Sequence, residues 1–219
     1  MFRLIHNILI EDGEAWHYPM YSRSDYLGDP LNIVKLLSDM GVDEICIYVK
    51  GNIDFDVVSD LPKFIVSPIS ICGGFSDINF AQNLISEGYD RVGFNSKHDK
   101  SFLEEVIHTI GASSVFIHHE LETETLSYDM QRLKNITNNL YISEIILSFR
   151  NIVGTRKEFH EDLIEELKDV HANIVYNGSD KILPNTIRKF FSAQSISSPL
   201  IFPFEDPSSG VLVYAKTVY

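Results

Sequence analysis

The sequence predicts a (β/α)8 barrel of the TIM type, built as one domain over residues 1–219 and short of its last helix. Three observations predict it. Eight short apolar runs recur along the chain, and most are continuous rather than alternating, as strands covered on both faces are. Helical patterns with their own start and stop residues lie between them. The connections are short, with no low-complexity tract and no shift in composition that marks a domain boundary. A doubly wound open sheet shares this alternation and is the rival. Glu44-Ile45-Cys46-Ile47 and Glu144-Ile145-Ile146-Leu147 open strands 100 residues apart, an echo that favours two similar half-barrels.

The expected strands are LIHNILI (4–10), EICIYVK (44–50), FIVSPISIC (64–72), RVGFN (91–95), SVFIHH (114–119), EIILSF (144–149), NIVY (173–176) and VLVYAKTV (211–218). Between them, Asp29-Pro30 starts a helix, with Asp as cap and Pro in the first turn, and Gly41 stops it. Ser76 or Asp77 starts the next, which Gly88 ends, and a third runs from about Asp99 to Gly111. KEFHEDLIEELKDV (157–170) is amphipathic at helical period. SAQSISSPLIFPFEDPSSG (192–210) has weak periodicity and reads as an insertion before the last strand. Phe202 and Phe204 within it are read either as barrel core or as a contact surface.

Composition narrows the partners. At 44% hydrophobic, 219 residues can bury a core, and a net charge of −13 without a basic stripe disfavours nucleic acid and anionic membrane. A small anion is still admissible, because a few backbone N–H groups bind one locally. No run approaches a membrane span, and the start, MFRLIHNILIEDGEAW, is a poor signal peptide. Cys46 and Cys72 lie inside apolar runs and read as buried free thiols of a reducing, cytoplasmic compartment. His6, His17, His118 and His119 show no metal-ligand spacing, so neither metal nor cofactor is expected.

Chemistry in a barrel gathers at the C-terminal ends of the strands. Gly73-Gly74 ends one apolar run just before a helix, and Asn95-Ser96 ends the next. Glycine permits close backbone approach, and exposed N–H groups favour phosphate. The bland alternative is a tight strand-to-helix turn with an Asn cap.

The segment 29–97 resembles the cyclase subunit of imidazole glycerol phosphate synthase (HisF-type), a barrel of histidine biosynthesis. The resemblance rests on Gly28-Asp29-Pro30, Gly41-Val42-Asp43-Glu44, Cys72-Gly73-Gly74-Phe75 and Glu87-Gly88-Tyr89-Asp90-Arg91-Val92-Gly93-Phe94-Asn95-Ser96. Glu11-Asp12-Gly13, Gly154-Thr155 and Asn177-Gly178 extend it over most of the chain. It implies a phosphorylated small molecule at the barrel mouth, with one phosphate on Gly73, Gly74, Asn95 and Ser96. The second phosphate position is altered: Asn177-Gly178 stands where the family has two glycines, and the register around Ala215-Lys216-Thr217 is ambiguous.

The family's two catalytic aspartates fall on Leu9 and His118, and its acidic cluster after the sixth strand on Asn151, Ile152 and Val153. Leucine transfers no proton, so loss of the cyclase reaction is expected. His118 and Asn151 are the candidate catalytic residues, although His118 and His119 serve a structural role equally well. Glu120 is expected to point away from them.

The resemblance also implies a ring of charges at the opposite end, gating ammonia from a docked glutaminase. Its positions are Arg3, Glu44, Arg91 and Glu144, with Asp90 facing the partner. A plain barrel plug has the same pattern. Three functions follow. The first is a barrel subunit that docks a glutaminase and conducts ammonia, as cyclase-like paralogues do beside sugar amidotransferases of bacterial surface polysaccharides. The second is an independent enzyme acting on a phosphorylated sugar or ribonucleotide. The third is a divergent cyclase, against which Leu9 argues.

Overall fold

A computed structural model describes residues 2–51, 54–122, 125–155, 157, 159 and 163–197, and the backbone of 201–205 and 212–216. Eight parallel strands close into a barrel: β1 (Arg3–Glu11), β4 (Glu44–Lys50), β5 (Ile69–Cys72), β6 (Arg91–Asn95), β7 (Val115–Leu121), β8 (Glu144–Phe149), β9 (Asn173–Asn177) and β10 (Ala193–Ile196). Closure is direct, with Arg3 beside Ala193 and His6 beside Ile196. Two short antiparallel strands, β2 (Glu14–Trp16) and β3 (Tyr26–Gly28), extend from the end of β1.

The helices pack outside: α1 (Pro30–Asp39), α2 (Phe55–Ser59), α3 (Ile78–Glu87), α4 (Lys100–Ile110), α5 (Leu126–Asn139), α6 (Leu163–Leu167) and α7 (Asn185–Arg188). The Asp29 carboxylate accepts the Asn32 N–H, and Asp77 accepts that of Asn79, so both expected caps form. Gly88 ends α3 at φ 115°, a left-handed backbone that suits glycine. None of the described helices is long and apolar enough to cross a membrane.

Period-two alternation splits the core. One layer lies between strands and helices and includes Ile8, Ile45, Ile47, Val92, Ile117 and Leu147. The other fills the bore, with Ile5, Cys46, Phe116, Ile146, Val175 and Ala193. Phe116 occupies the axis over Gly93, where a Cβ would lie 2.2 Å from its ring.

The eighth strand differs from expectation. The barrel is closed by AQSI (193–196), not by VLVYAKTV. The backbone of 212–216 instead pairs antiparallel with 201–205 in a separate two-stranded sheet. AQSI was not legible as a strand because its polar residues are buried for structural reasons. The Gln194 carboxamide accepts the Leu183 N–H and donates to the Ser179 and Lys181 carbonyls. The supposed insertion therefore begins with a barrel strand, and among the described residues no helix follows it. The side chains of Phe202, Phe204, Ala215 and Lys216, and all of Thr217, lie outside the described residues.

The third expected strand is shorter than FIVSPISIC: Phe64 ends a 3-10 turn and the strand begins only at Ile69. Helix α5 escaped the sequence reading, and only Leu163–Leu167 of the 157–170 segment is described as helical.

Candidate ligand cavity and ionic plug

Arg3, Glu44, Arg91 and Glu144 open β1, β4, β6 and β8, so all four arise at the N-terminal end of the barrel. They form a closed cycle. Arg3 donates to Glu44 at 3.0 Å and to Glu144, and Arg91 donates to the remaining oxygen of each carboxylate. Ser70 adds a 3.3 Å hydrogen bond to Glu44. Each Glu thus holds two Arg, and each Arg holds two Glu, which is how buried charge is tolerated. The Glu side chains are 4% and 8% exposed, Arg91 14% and Arg3 36%, so Arg3 is the member that faces solvent. Burial pushes the Glu44 carboxyl above its usual range against the pull of Arg91 and Arg3.

Asp90 stands at the same end, exposed, and its carboxylate accepts the Ile69 N–H at 2.8 Å. That bond fixes the start of β5, a structural duty independent of any partner.

At the C-terminal end a cavity of about 550 Å3 opens. Gly73, Gly74 and Asn95 line it, beside Leu9, Tyr48, Lys50, Cys72, His118, Glu120 and Arg150, with Tyr21 from the β2–β3 connection. A side chain on Gly73 would place Cβ 2.9 Å from the Val49 carbonyl, so a glycine is required there. Around Gly74 there is open space. The Asn95 side-chain oxygen Oδ1 accepts the Lys97 N–H, closing the turn. Lys50 pairs with Glu11 at 3.3 Å, and Arg150 with Glu122 at 2.8 Å.

Ser96 and Gly178 do not line this cavity. The Ser96 hydroxyl is buried against His119 Nδ1 at 2.8 Å. At Gly178 a Cβ would strike the Tyr176 ring. Asn151 is exposed outside the cavity, which its neighbour Arg150 enters instead.

The two adjacent histidines diverge, as alternation in a strand requires. His118 points into the bore, its Nε2 2.7 Å from Ser148 Oγ and 3.1 Å from the Tyr21 hydroxyl. Asn177 donates to Ser148 and to the Tyr48 hydroxyl, and Asn7 donates to Asn177. Ser148 therefore links the His118 imidazole to the Asn177 carboxamide. Burial lowers the His118 pKa to about 4, and Glu120 opposes the shift. His119 turns outward to Ser96 and the Asp129 carbonyl, and burial lowers its pKa to about 4 as well.

Glu120 corrects an expectation. It lines the cavity with His118, because residues two apart on a strand share a face. Lys50 and Arg150 were also missed, although each follows a predicted strand's last apolar residue and so stands at the mouth. Tyr21 carried no signal, since it arrives on a loop. Among the described residues no group of three His, Cys, Asp or Glu could hold a metal ion. Cys46 and Cys72 are free and buried.

Residues 3–179 match the model of a family described as "Histidine biosynthesis protein". A Pseudomonas aeruginosa protein provisionally named imidazole glycerol phosphate synthase subunit hisF2 is 20% identical over 236 residues, covering 96% of this chain and 94% of that one. The imidazole glycerol phosphate synthase subunit HisF of Helicobacter hepaticus is 21% identical over 182 residues, 69% of each chain. That of Campylobacter concisus is 29% identical over 98 residues, 41% of this chain and 39% of its own.

Proposed function

The chain belongs to the histidine biosynthesis protein family, and from that premise we propose that it is a barrel subunit that has left the cyclase reaction, docks a glutaminase-type partner and passes ammonia to an acceptor. The observation that carries this reading is the cycle of Arg3, Glu44, Arg91 and Glu144 at one end of the barrel. At the other end Leu9 and His118 stand where the family resemblance places two aspartates. Met40, Phe64, Val66 and Tyr141 are exposed on segments leading into β4, β5 and β8, and supply apolar contacts around the ring. Ammonia entering beside Arg3 parts an ion pair and passes Phe116 by small side-chain displacements, because the bore is packed. Amidation of a surface-polysaccharide sugar is the acceptor chemistry that family analogy suggests.

The test is co-purification with a glutaminase and measurement of glutamine turnover with and without this chain. Stimulation supports the reading. Failure of glutaminases from the same genome to bind or respond defeats it.

A second reading is favoured by the cavity itself: an enzyme acting on a phosphorylated sugar or ribonucleotide. Its phosphate sits at Gly73, Gly74 and Asn95 near Lys50, and His118 and Glu120 face the rest of the molecule. Phosphate placed at this edge gains backbone N–H donors and a cation in one small volume. Binding of inorganic phosphate, lost in Gly74→Val, supports it.

A further inference from the structure

The strands β5 and β6 lie diametrically opposite β9 and β10 in the barrel order, so the mouth has two comparable edges. They are in different states. At the β5–β6 edge Gly74 has open space around it, and its N–H makes no hydrogen bond among the described residues. At the β9–β10 edge the N–H groups of Ser179, Asp180, Lys181 and Ser197 are already taken by the chain. Ser179 N–H donates to the Tyr176 hydroxyl at 2.9 Å, Lys181 N–H to Ser179 Oγ at 3.0 Å, and Asp180 N–H to the Thr155 carbonyl at 2.7 Å. The Ser197 N–H, just past β10, donates to the Asp180 carboxylate at 2.7 Å. Asp180 is 3% exposed, so a built-in anion occupies this strand end.

The β2–β3 connection seals the same side. Met20 N–H donates to the Val153 carbonyl at 2.8 Å, and Pro19 presses on Gly154, where a Cβ would come within 2.9 Å of the proline Cα and 3.3 Å of Ser197 Cβ. The buried Tyr18 ring fills the space beneath, beside Tyr48. No residue of β9 or β10 lines the cavity.

We propose that the mouth takes a small molecule bearing a single phosphate, seated at the β5–β6 edge, and that Asp180 excludes a second anion from the β9–β10 edge. This rests on the second reading above and deepens it by fixing the substrate class: a phosphomonoester rather than a molecule with a phosphate at each end. A second phosphate would have to displace a buried carboxylate from its N–H donor and stand beside its charge. Glu120, Arg150 and the Tyr21 hydroxyl face the unphosphorylated end of the ligand.

The test is calorimetric titration of the full chain with ribose 5-phosphate and with ribulose 1,5-bisphosphate. The expected result is binding of both with dissociation constants within about threefold, since only one phosphate finds donors. Asp180→Asn retains an acceptor for Ser197 N–H but removes the charge, and is expected to strengthen bisphosphate binding while leaving the monophosphate unchanged. A bisphosphate bound tenfold or more tighter than the monophosphate by the unsubstituted chain overturns the inference and leaves the phosphate seat standing. Binding of neither compound overturns the seat and the inference together.

Discussion

Tyr21 and His118, 97 positions apart in sequence, meet at 3.1 Å across the barrel mouth. The tyrosine reaches that position with a left-handed backbone, φ 60°, directly after Met20 at φ 52°. Consecutive non-glycine residues there cost on the order of 1 kcal/mol or more each, and the surrounding bonds must hold them. The Met20 N–H to Val153 and the Tyr21 hydroxyl to His118 are two such bonds. Tyr21→Phe is expected to lower unfolding stability by about 1 kcal/mol, the worth of one hydrogen bond, because Ser148 still serves the imidazole. Denaturant unfolding measures it, and a loss above about 3 kcal/mol contradicts this account.

Acid sensitivity follows from the two histidines. Both have folded pKa values lowered from 6.5 to about 4 by burial. Below pH 6.5 the unfolded chain takes up protons that the folded chain refuses. Stability is therefore full above about pH 6.5 and falls as pH drops towards 4, by at most about 1.4 kcal/mol per unit for each histidine. Urea titrations at pH 7, 6, 5 and 4.5 check the slope. His118→Gln, which preserves a polar partner for Ser148, is expected to remove about half of it.

Removal of one arginine from the plug separates its members. Arg91 is 14% exposed, and Arg91→Ala leaves two buried carboxylates sharing Arg3, at a cost of about 3–5 kcal/mol. Arg3→Ala is expected to cost less, because Arg3 is 36% exposed and water replaces part of its contact. Equal losses in the two variants, read by chemical denaturation, argue against the burial gradient across the ring.

Leu9 lines the cavity at 3% exposure and carries no titratable group. Expression of the chain in a histidine auxotroph lacking the cyclase is accordingly expected to give no growth without histidine. Colonies at the rate given by a true cyclase would return this chain to the parental activity.

How far the sequence discloses the molecule depends on what each residue is for. Continuous apolar strands such as EICIYVK and EIILSF announce themselves because both faces are covered. The ionic plug is legible through the family resemblance, which points to four charges that each open an apolar run. AQSI is not, since Gln194 is buried for the carbonyls it binds, a relation only the fold reveals. Glu120 beside His118 was within reach of the period of two, and the initial expectation misapplied it. Tyr21 was beyond reach, because no local pattern places a loop tyrosine against a residue on β7.

Adjacent glycines give the sharpest separation of fold from binding. Gly73 has no room: its Cβ would lie 2.9 Å from the Val49 carbonyl oxygen and 3.3 Å from the Phe75 ring. Backbone cannot yield as a flexible side chain does, so Gly73→Ala is expected to cost about 1–3 kcal/mol of stability. Gly74 has nothing within 4 Å, so Gly74→Val is expected to leave the unfolding midpoint within about 0.5 kcal/mol of the parent. If its N–H helps to cradle phosphate, the new side chain stands where the ligand must approach, and affinity for inorganic phosphate falls tenfold or more. Thermal denaturation and phosphate titration of the two variants separate the effects. Unchanged phosphate affinity in Gly74→Val, with the fold intact, moves the anion away from this edge and with it the placement of every other group around the ligand.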